Sequence, residues 1–406
     1  MYRIADAADA VSRPSRSMRK RTLVLADLHL VGKTPRSLGE DLATLVEAHR
    51  GARIVVAGDL FDLPSEMPNV ARDKALASAL GAQSHVRAAL AEHVDRDGEL
   101  WLLSGNHDAE VGAPDFRDAL ARAFGVTGEA RGRIRTTPWF LRDGALHFEH
   151  GHLFDPDNAP AHPLILGARS LGMHFVEEFI APTGAHRYLN ANDQTPLKLL
   201  ASAFAWYGAR GPYVVYRYFH TAITAMAASG PFYRGHHEIP RGKEHEPGFA
   251  EEHDVPHGVV EQLRDLAATP TMSSFRRTFA RIYFDRVIAT LSMLGGGAAM
   301  LAGHKRSGAA AIATGATLLG ASWAQGHDRY TGTVADRLRE GARTVREATG
   351  AKLVVFGHTH REALEDGYAN TGSFAFPMGA PGRPYLEIEG PDDHPRAVRR
   401  YWPTSD

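Results

Sequence analysis

The stretch Thr22-Leu23-Val24-Leu25-Ala26-Asp27-Leu28-His29 sets an apolar run directly before an aspartate and a histidine. Four more blocks repeat this pattern, each after an apolar run of its own: Gly58-Asp59-Leu60-Phe61-Asp62, Gly105-Asn106-His107-Asp108, His150-Gly151-His152 and Gly357-His358-Thr359-His360. Short apolar runs of this kind are typical of buried strands. Polar side chains at the ends of such strands can converge on one edge of a sheet. Because Asp, Asn and His suit divalent metals, the blocks predict one site that holds a pair of them.

The rest of the pattern predicts an α/β fold. Strands alternate with helices in the first part of the chain, which favours a layer of parallel strands. The expected strands there are 22–26, 53–57 and 99–104, and the expected helices are 38–49, 70–93 and 114–124. Residues 134–149 predict two strands across the turn Arg142-Asp143-Gly144, and strand signals return at 352–356, 363–370, 385–389 and 397–401.

Composition narrows the class of protein. The 406 residues allow two domains, or one domain with a large insertion. The net charge of −1 gives no signal for nucleic acid as a partner. The absence of cysteine excludes disulfides and thiolate chemistry. Residues 1–20 are basic and lack the apolar segment of a secretory signal, so we expect a tail on a cytoplasmic protein.

Residues 161–346 separate the fourth block from the fifth and differ in character from residues 21–160 and 347–406. Apolar and aromatic residues at helical spacing predict a mainly helical insertion, which either packs against the core or forms a cap over a substrate site. Within it, residues 235–258 are rich in Glu, His, Pro and Gly without periodicity, which predicts a loop.

Residues 271–326 carry a membrane-like signal. A basic amphipathic stretch, 271–286, leads into two runs without charge, 287–303 and 307–326, which are separated by His304-Lys305-Arg306. Small residues in these runs would let two helices pack closely. Two interpretations stay open: a hairpin that enters a membrane, which would hold the protein at its inner face, or a buried helix pair. The Lys-Arg turn argues against full crossing.

The five blocks, in this order, resemble those of the calcineurin-like metallophosphoesterases. The resemblance implies a four-layer α/β fold in which a β-sandwich is flanked by helices. It also implies two divalent metal ions, Mn, Fe or Zn, with Mn favoured. Asp59 would bridge them, Asp27, His29 and His360 would bind the first, and Asn106, His150 and His358 would bind the second.

The same resemblance gives roles to residues beside the ligands. His107 would protonate the leaving oxygen or hold the phosphate, and Asp62 would orient it. Asp108 either supports the site or caps the following helix. The family ligand is the histidine that precedes glycine, so the fourth block assigns the metal to His150 and leaves His152 beside the site.

The wording of the blocks is most similar to the branch that contains UDP-2,3-diacylglucosamine hydrolases. That branch has arginine where this chain has His107, and its cap is much smaller than the insertion here. We therefore expect hydrolysis of a phosphodiester or pyrophosphate bond, by a hydroxide that bridges the metals, on a substrate that is lipid-linked or a nucleotide. The alternatives are a phosphomonoesterase, including a protein phosphatase, and a scaffold without activity. A membrane contact through 271–326 is the expected second partner.

Overall fold

The computed structural model describes residues 20–66, 71–185, 196–324, 333–379 and 381–405. The predicted basic tail lies outside these residues except for Lys20, whose Nζ donates to Glu99 Oε1 at 3.1 Å. The described chain forms a mixed α/β structure with two mixed sheets.

Eleven strands form the two sheets. Their bounds are β1 Thr22–Leu25, β2 Arg53–Val56, β3 Glu99–Leu103, β4 Ile134–Thr137, β5 Phe140–Asp143, β6 Leu146–Glu149, β7 Leu353–Phe356, β8 Glu362–Glu365, β9 Tyr368–Thr371, β10 Arg383–Glu389 and β11 Arg396–Trp402. The first sheet has the order β11-β10-β1-β2-β3-β4, with β1 to β3 parallel as predicted and β4 parallel to β3. The second has the order β5-β6-β7-β9-β8, in which β6, β7 and β9 are parallel.

Sixteen α-helices are described. In the first part of the chain they are α1 Arg36–Ala48, α2 Leu63–Glu66, α3 Arg72–Ala82, α4 Ser84–Asp95, α5 Phe116–Phe124 and α6 Gly128–Gly132. The remainder are α7 Leu171–Phe175, α8 Ala181–Thr183, α9 Pro196–Tyr207, α10 Gly211–Ala227, α11 Glu238–Glu252, α12 His257–Asp265, α13 Phe275–Arg281, α14 Phe284–Leu301, α15 Lys305–Ala324 and α16 Thr333–Thr349.

The core lies in layers on both sides of each sheet. Alternate residues of β1 point to opposite faces: Leu23 and Leu25 pack with helices α1, α3, α4 and α5, whereas Val24 packs toward the second sheet. In β7, Val355 faces the first sheet and Val354 faces α11, α12 and α16. Because both faces of these strands are buried, their sequences are apolar without alternation. The layers therefore follow the order helices, first sheet, second sheet, helices.

Several boundaries differ from the sequence-based expectation. The helix expected at 70–93 is two helices, α3 and α4, interrupted at Gln83, and its first residue lies outside the described part. Residues 134–149 form three strands rather than two, because β4 joins the first sheet while β5 and β6 form a hairpin in the second. The predicted boundary at 346 falls inside α16, which packs on β7.

The prediction of a loop at 235–258 is wrong, since most of this segment is helix α11. Local composition disfavours a helix here, and Pro247 lies in its interior. Tertiary contacts outweigh this, because Phe249 stacks on Trp139 with ring centroids 5.8 Å apart. Glu246 is buried and accepts from Arg264 Nη1 at 2.7 Å. Part of the insertion therefore completes the outer layer of the core.

In the described part of 271–326, the basic stretch 271–286 is interrupted, and the two helices that follow it are not a buried pair. Tyr283, with φ of 54°, separates α13 from α14. Helices α14 and α15 pack against each other, yet Leu294 and Leu301 on α14 are 66 % and 93 % exposed. Within the described residues, no helix combines the length and the apolar character that crossing a membrane requires.

Candidate metal centre

All five blocks lie at one edge of the paired sheets, because they follow the parallel strands β1, β2, β3, β6 and β7. Backbone bonds tie neighbouring blocks together. The amide of Asp27 donates to Gly58 O at 3.2 Å, and the amide of Leu28 donates to Asp59 O at 2.8 Å. Gly357 N donates to His150 O at 3.0 Å. The blocks are thus one connected surface rather than five separate loops.

The backbone at these blocks is strained in a shared way. Of the eight non-glycine residues with positive φ in the described chain, five belong to the predicted ligand set: Asp27, His29, Asp59, His358 and His360. Residues with side chains rarely adopt this left-handed conformation, and it persists where surrounding structure enforces it. Such strain concentrates at functional sites.

The first predicted metal position is formed by Asp27, His29 and His360. His29 Nε2 lies 3.2 Å from His360 Nε2, and His360 Nε2 lies 3.3 Å from Asp27 Oδ1. Two atoms bound to one metal at about 2.1 Å, with angles of 90–110°, lie roughly 3.0–3.4 Å apart. The His29–His360 and His360–Asp27 separations fit this spacing, while His29 Nε2 to Asp27 Oδ1 is longer, at 4.0 Å.

The second predicted position is formed around His150. Its Nε2 lies 3.3 Å from Asp59 Oδ2 and 3.1 Å from Asn106 Oδ1, and its Nδ1 is 2.8 Å from Ala57 O. The carbonyl of Ala57 fixes the tautomer by accepting the Nδ1 proton, which leaves Nε2 for a metal. Asp59 Oδ2 also lies 3.9 Å from His29 Nε2, so this carboxylate stands between the two positions.

The burial and the charge of these side chains suit the binding of a cation. Asp27 Oδ1 and His29 Nδ1 are buried and have no hydrogen-bond partner in the described chain. Burial, with His107 nearby, lowers the pKa of His29 to about 4, so this ring is neutral and ready to bind a metal. Burial opposes the charged form of Asp59, but His150 and His107 hold the pKa of that carboxyl well below its usual range. Asp59 is therefore a permanent anion at the centre of the site.

The predicted proton donor lies beside the first position. His107 Nδ1 is 3.2 Å from Asp62 Oδ1, and the His107 ring meets the His29 ring edge-on at 4.6 Å. Burial disfavours the imidazolium, but Asp62 and Asp59 outweigh it and raise the pKa of His107 to about 9. His107 is consequently protonated at neutral pH in this arrangement.

Asp108 does not cap the next helix with its side chain. Its carboxylate accepts from three backbone amides, those of Gly105 at 2.8 Å, Asp59 at 3.1 Å and Phe61 at 3.2 Å. Asp108 thus joins the second block to the third. Burial and the nearby Asp59 raise its pKa to about 7.

His358 is brought to the site, but one of its nitrogens is already engaged. Its ring lies 5.2 Å from the His150 ring, and its Nε2 is 3.0 Å from Asp155 Oδ2. Only Nδ1 is then left for the second metal. Burial opposes ionisation of Asp155, yet the bond to His358 lowers the pKa of Asp155 to about 2. Asp155 was not among the predicted residues, although a carboxylate five positions after His150 is a signal for a residue that orients a ligand.

His152 lies beside the second predicted position, and its buried Nδ1 has no hydrogen-bond partner in the described chain. Its ring centroid is 5.3 Å from that of His150 and 6.4 Å from that of His358. Burial and the two neighbouring histidines lower the pKa of His152 well below its usual value. His152 is thus a neutral residue behind the ligands.

Close approach at the centre requires glycine at Gly105. A Cβ at this position would overlap Asp59 Oδ1 and come within 2.6 Å of Asp59 N. The glycine therefore allows the third strand end to lie directly against the central carboxylate. No protein-family model and no curated protein sequence matches the chain.

Proposed function

We propose that this chain is a metal-dependent phosphoester hydrolase of the calcineurin-like metallophosphoesterase type, with a phosphodiester or pyrophosphate bond as its target. The observation that carries the proposal is the spacing of ligand atoms around two positions, with Asp59 between them. Asp27, His29 and His360 would hold one ion, and His150, Asn106 and His358 the other. Mn, Fe and Zn all suit this donor set.

When bound, two divalent cations neutralise charge on a phosphoryl group and lower the pKa of water. The chain's own residues have complementary tasks. Asp62 holds His107 Nδ1, so Nε2 is the ring nitrogen that faces its reaction partner. A protonated His107 supplies the proton that the leaving oxygen needs as its bond to phosphorus breaks.

The contacts of the insertion support a role for it in shaping the substrate site. Asn106 Nδ2 lies 3.9 Å from the sulfur of Met173 on α7, and 3.5 Å from Asn158 Oδ1. The turn that follows α7, Val176–Ile180, packs on α2 directly after Asp62. Residues of the insertion thus lie beside the second metal position and pack on the helix that follows Asp62. A lipid-linked or nucleotide substrate is the proposed class.

The proposal is tested with bis-p-nitrophenyl phosphate and p-nitrophenyl phosphate, each with added Mn²⁺. We expect the diester to turn over faster. A wide margin in favour of the monoester would replace the leading proposal with a phosphomonoesterase, and no turnover of either compound would favour a scaffold.

Two histidines two positions apart provide a matched control for the site. The variant His150→Gln should lose the second metal, measured by elemental analysis, and lose turnover with it. The variant His152→Gln removes a neighbouring buried ring that the family pattern does not assign as a ligand, and it should retain both metals. Loss of metal in His152→Gln alone would reverse the ligand assignment.

A further inference from the structure

The hairpin of α14 and α15 is joined through a seam of very small residues. Gly296 and Gly308 face each other so closely that a Cβ on Gly296 would lie 2.6 Å from Gly308 O. A Cβ on Gly315 would likewise lie 2.5 Å from Ala289 O. Along each helix these seam residues recur every seven positions, Ala289 and Gly296 on α14, then Gly308, Gly315 and Ser322 on α15. Backbone meets backbone along the seam, with Met293, Met300 and Ile312 beside the glycines, and the remaining large side chains are left to other faces.

Those large side chains lie on the outer face of α14. Leu291, Leu294 and Leu301 lie opposite the seam in helical rotation and are 61 %, 66 % and 93 % exposed, and Ile288, to one side of it, is 44 % exposed. The face of α15 opposite its seam is different, because it carries the exposed small residues Ala310, Ala313 and Thr317. The exposed large side chains of α15, Leu318 and Trp323, lie to the sides of the seam and are 45 % and 53 % exposed. A hairpin surrounded by one apolar medium would be apolar on both outer faces. This asymmetry fits an apolar surface on the α14 side and water on the α15 side.

Charge indicates what kind of surface it is. In the described part of the hairpin beyond Arg286, Lys305 and Arg306 are the only charged side chains, and both are exposed. At the base, Arg276 and Arg277 on α13 are exposed beside Phe275, which is itself 51 % exposed. No carboxylate follows Asp285 before α15 ends at Ala324. Beyond Asp285 at its base, a second copy of the hairpin would therefore offer these cations no anionic partner, whereas anionic lipid headgroups would.

We propose that the α14–α15 hairpin lies in the headgroup region of an anionic membrane, with the outer face of α14 toward the acyl chains. Leucines enter the boundary by about 5–10 Å, as in other interfacial helices. The long side chains of Lys305 and Arg306 reach the phosphates from the turn. The inference does not depend on the proposed hydrolase activity, since none of these residues touches the metal centre.

The base of the hairpin is connected to that centre. Arg281, on α13, pairs with Asp157, which also accepts from Thr271 Oγ1 at 2.7 Å. Asp157 N in turn donates to Asp155 Oδ1 at 3.0 Å, and Asp155 holds His358. A membrane bound at the hairpin would thus lie at a fixed position relative to the site.

The first test is co-sedimentation of the full chain with two kinds of vesicle, one of phosphatidylcholine alone and one of phosphatidylcholine with about 30 % phosphatidylglycerol. We expect partition into the anionic vesicles. Lys305→Gln and Arg306→Gln should each weaken it about fivefold, and only for the anionic vesicles. Leu291→Ser with Leu294→Ser should weaken it by about tenfold or more. The matched double variant Ala310→Ser with Ala313→Ser changes the opposite face and should stay within about twofold of the parent.

The absence of native cysteine allows a second test that does not depend on those variants folding. Single variants Leu294→Cys and Ala313→Cys are labelled with an environment-sensitive dye. With vesicles, the label at 294 should report an apolar environment and the label at 313 should remain in water. Equal response at both positions, or no partition at all, would overturn the proposal. Concentration-dependent self-association that Leu294→Ser abolishes, without vesicle binding, would assign the face to a second copy. Partition should be unchanged in Asp59→Asn, which separates this result from the fate of the hydrolase proposal.

Discussion

The carboxylate of Asp155 should control metal affinity without binding a metal. It lies 3.0 Å from His358 Nε2 through Oδ2, and Asn158 Nδ2 donates to the same oxygen at 2.7 Å. As long as His358 donates to Asp155, Nδ1 is kept unprotonated and free to coordinate. Asp155→Asn keeps an acceptor at this position but removes the charge, and Asp155→Ala removes both.

The magnitude follows from the interaction that the carboxylate makes in the folded chain. Its pKa is lowered from 3.8 to about 2 despite burial, chiefly through His358. At about 1.4 kcal/mol for each pKa unit, this lowering corresponds to an interaction on the order of a few kcal/mol. Residues that orient metal ligands typically contribute about 10–100-fold to affinity. We therefore expect Asp155→Asn to weaken binding at the second position by about tenfold or more, and Asp155→Ala to weaken it further.

The assay is a titration of metal-free protein with Mn²⁺, followed by calorimetry, with two binding steps resolved. Asp157→Asn is the matched control, because Asp157 lies in the same turn but contacts Thr271 and Arg281 rather than a ligand. Affinity of Asp155→Asn within about twofold of the parent, in a protein with unchanged thermal stability, would refute this account of His358.

Three further expectations follow from the site. Gly105→Ala should lower the free energy of unfolding by about 1–3 kcal/mol in chemical denaturation, since its Cβ would overlap Asp59, whereas Gly81→Ala meets nothing within 4 Å and should not destabilise the chain. His107→Ala should keep both metals but lower turnover of an unactivated ester by about 10²–10⁴, with Asp62→Asn affected less; near-normal turnover would remove His107 as the proton donor. Burial opposes protonation of His150, but Asp59 raises the pKa of His150 in the metal-free chain to about 10. Metal binding must therefore expel a proton at pH 7, and metal affinity should rise with pH until the pH passes that value. Calorimetry in two buffers of different ionisation enthalpy would detect the proton, and identical heats would contradict it.

The placement of the five blocks at one edge could be predicted because their signal is local. Each block is a few residues long and directly follows a buried strand, so parallel pairing alone brings Asp27, Asp59 and Asn106 to one edge. The features of the fold that were not predicted from the sequence depend on contacts between residues that are far apart in the chain. Helix α11 forms in a proline-containing segment because Phe249 packs on Trp139, and nothing in the segment itself indicates that contact.

The same distinction explains β4 and the hairpin. Residues 134–149 have the right strand pattern, but a strand pattern does not say which sheet a strand joins, and β4 and β5 join different ones. In α14 and α15 the sequence shows apolar runs without showing how much of them a neighbour covers. Glycines at the seam let the helices meet through their backbones, so most of the apolar surface stays exposed.

The strain at the ligands explains why this edge is built from two sheets. Each left-handed residue with a side chain costs on the order of 1–3 kcal/mol, and such residues follow β1, β2 and β7. A loop on its own would relax, whereas here the frame holds them. Ser373 Oγ donates to Asp27 O at 2.8 Å, and Asn370 Nδ2 donates to Gly357 O at 2.6 Å, so both strand ends are fixed from β9 and the turn after it. The frame thus keeps Asp27 Oδ1 buried without a donor, an arrangement that becomes favourable once a cation is bound.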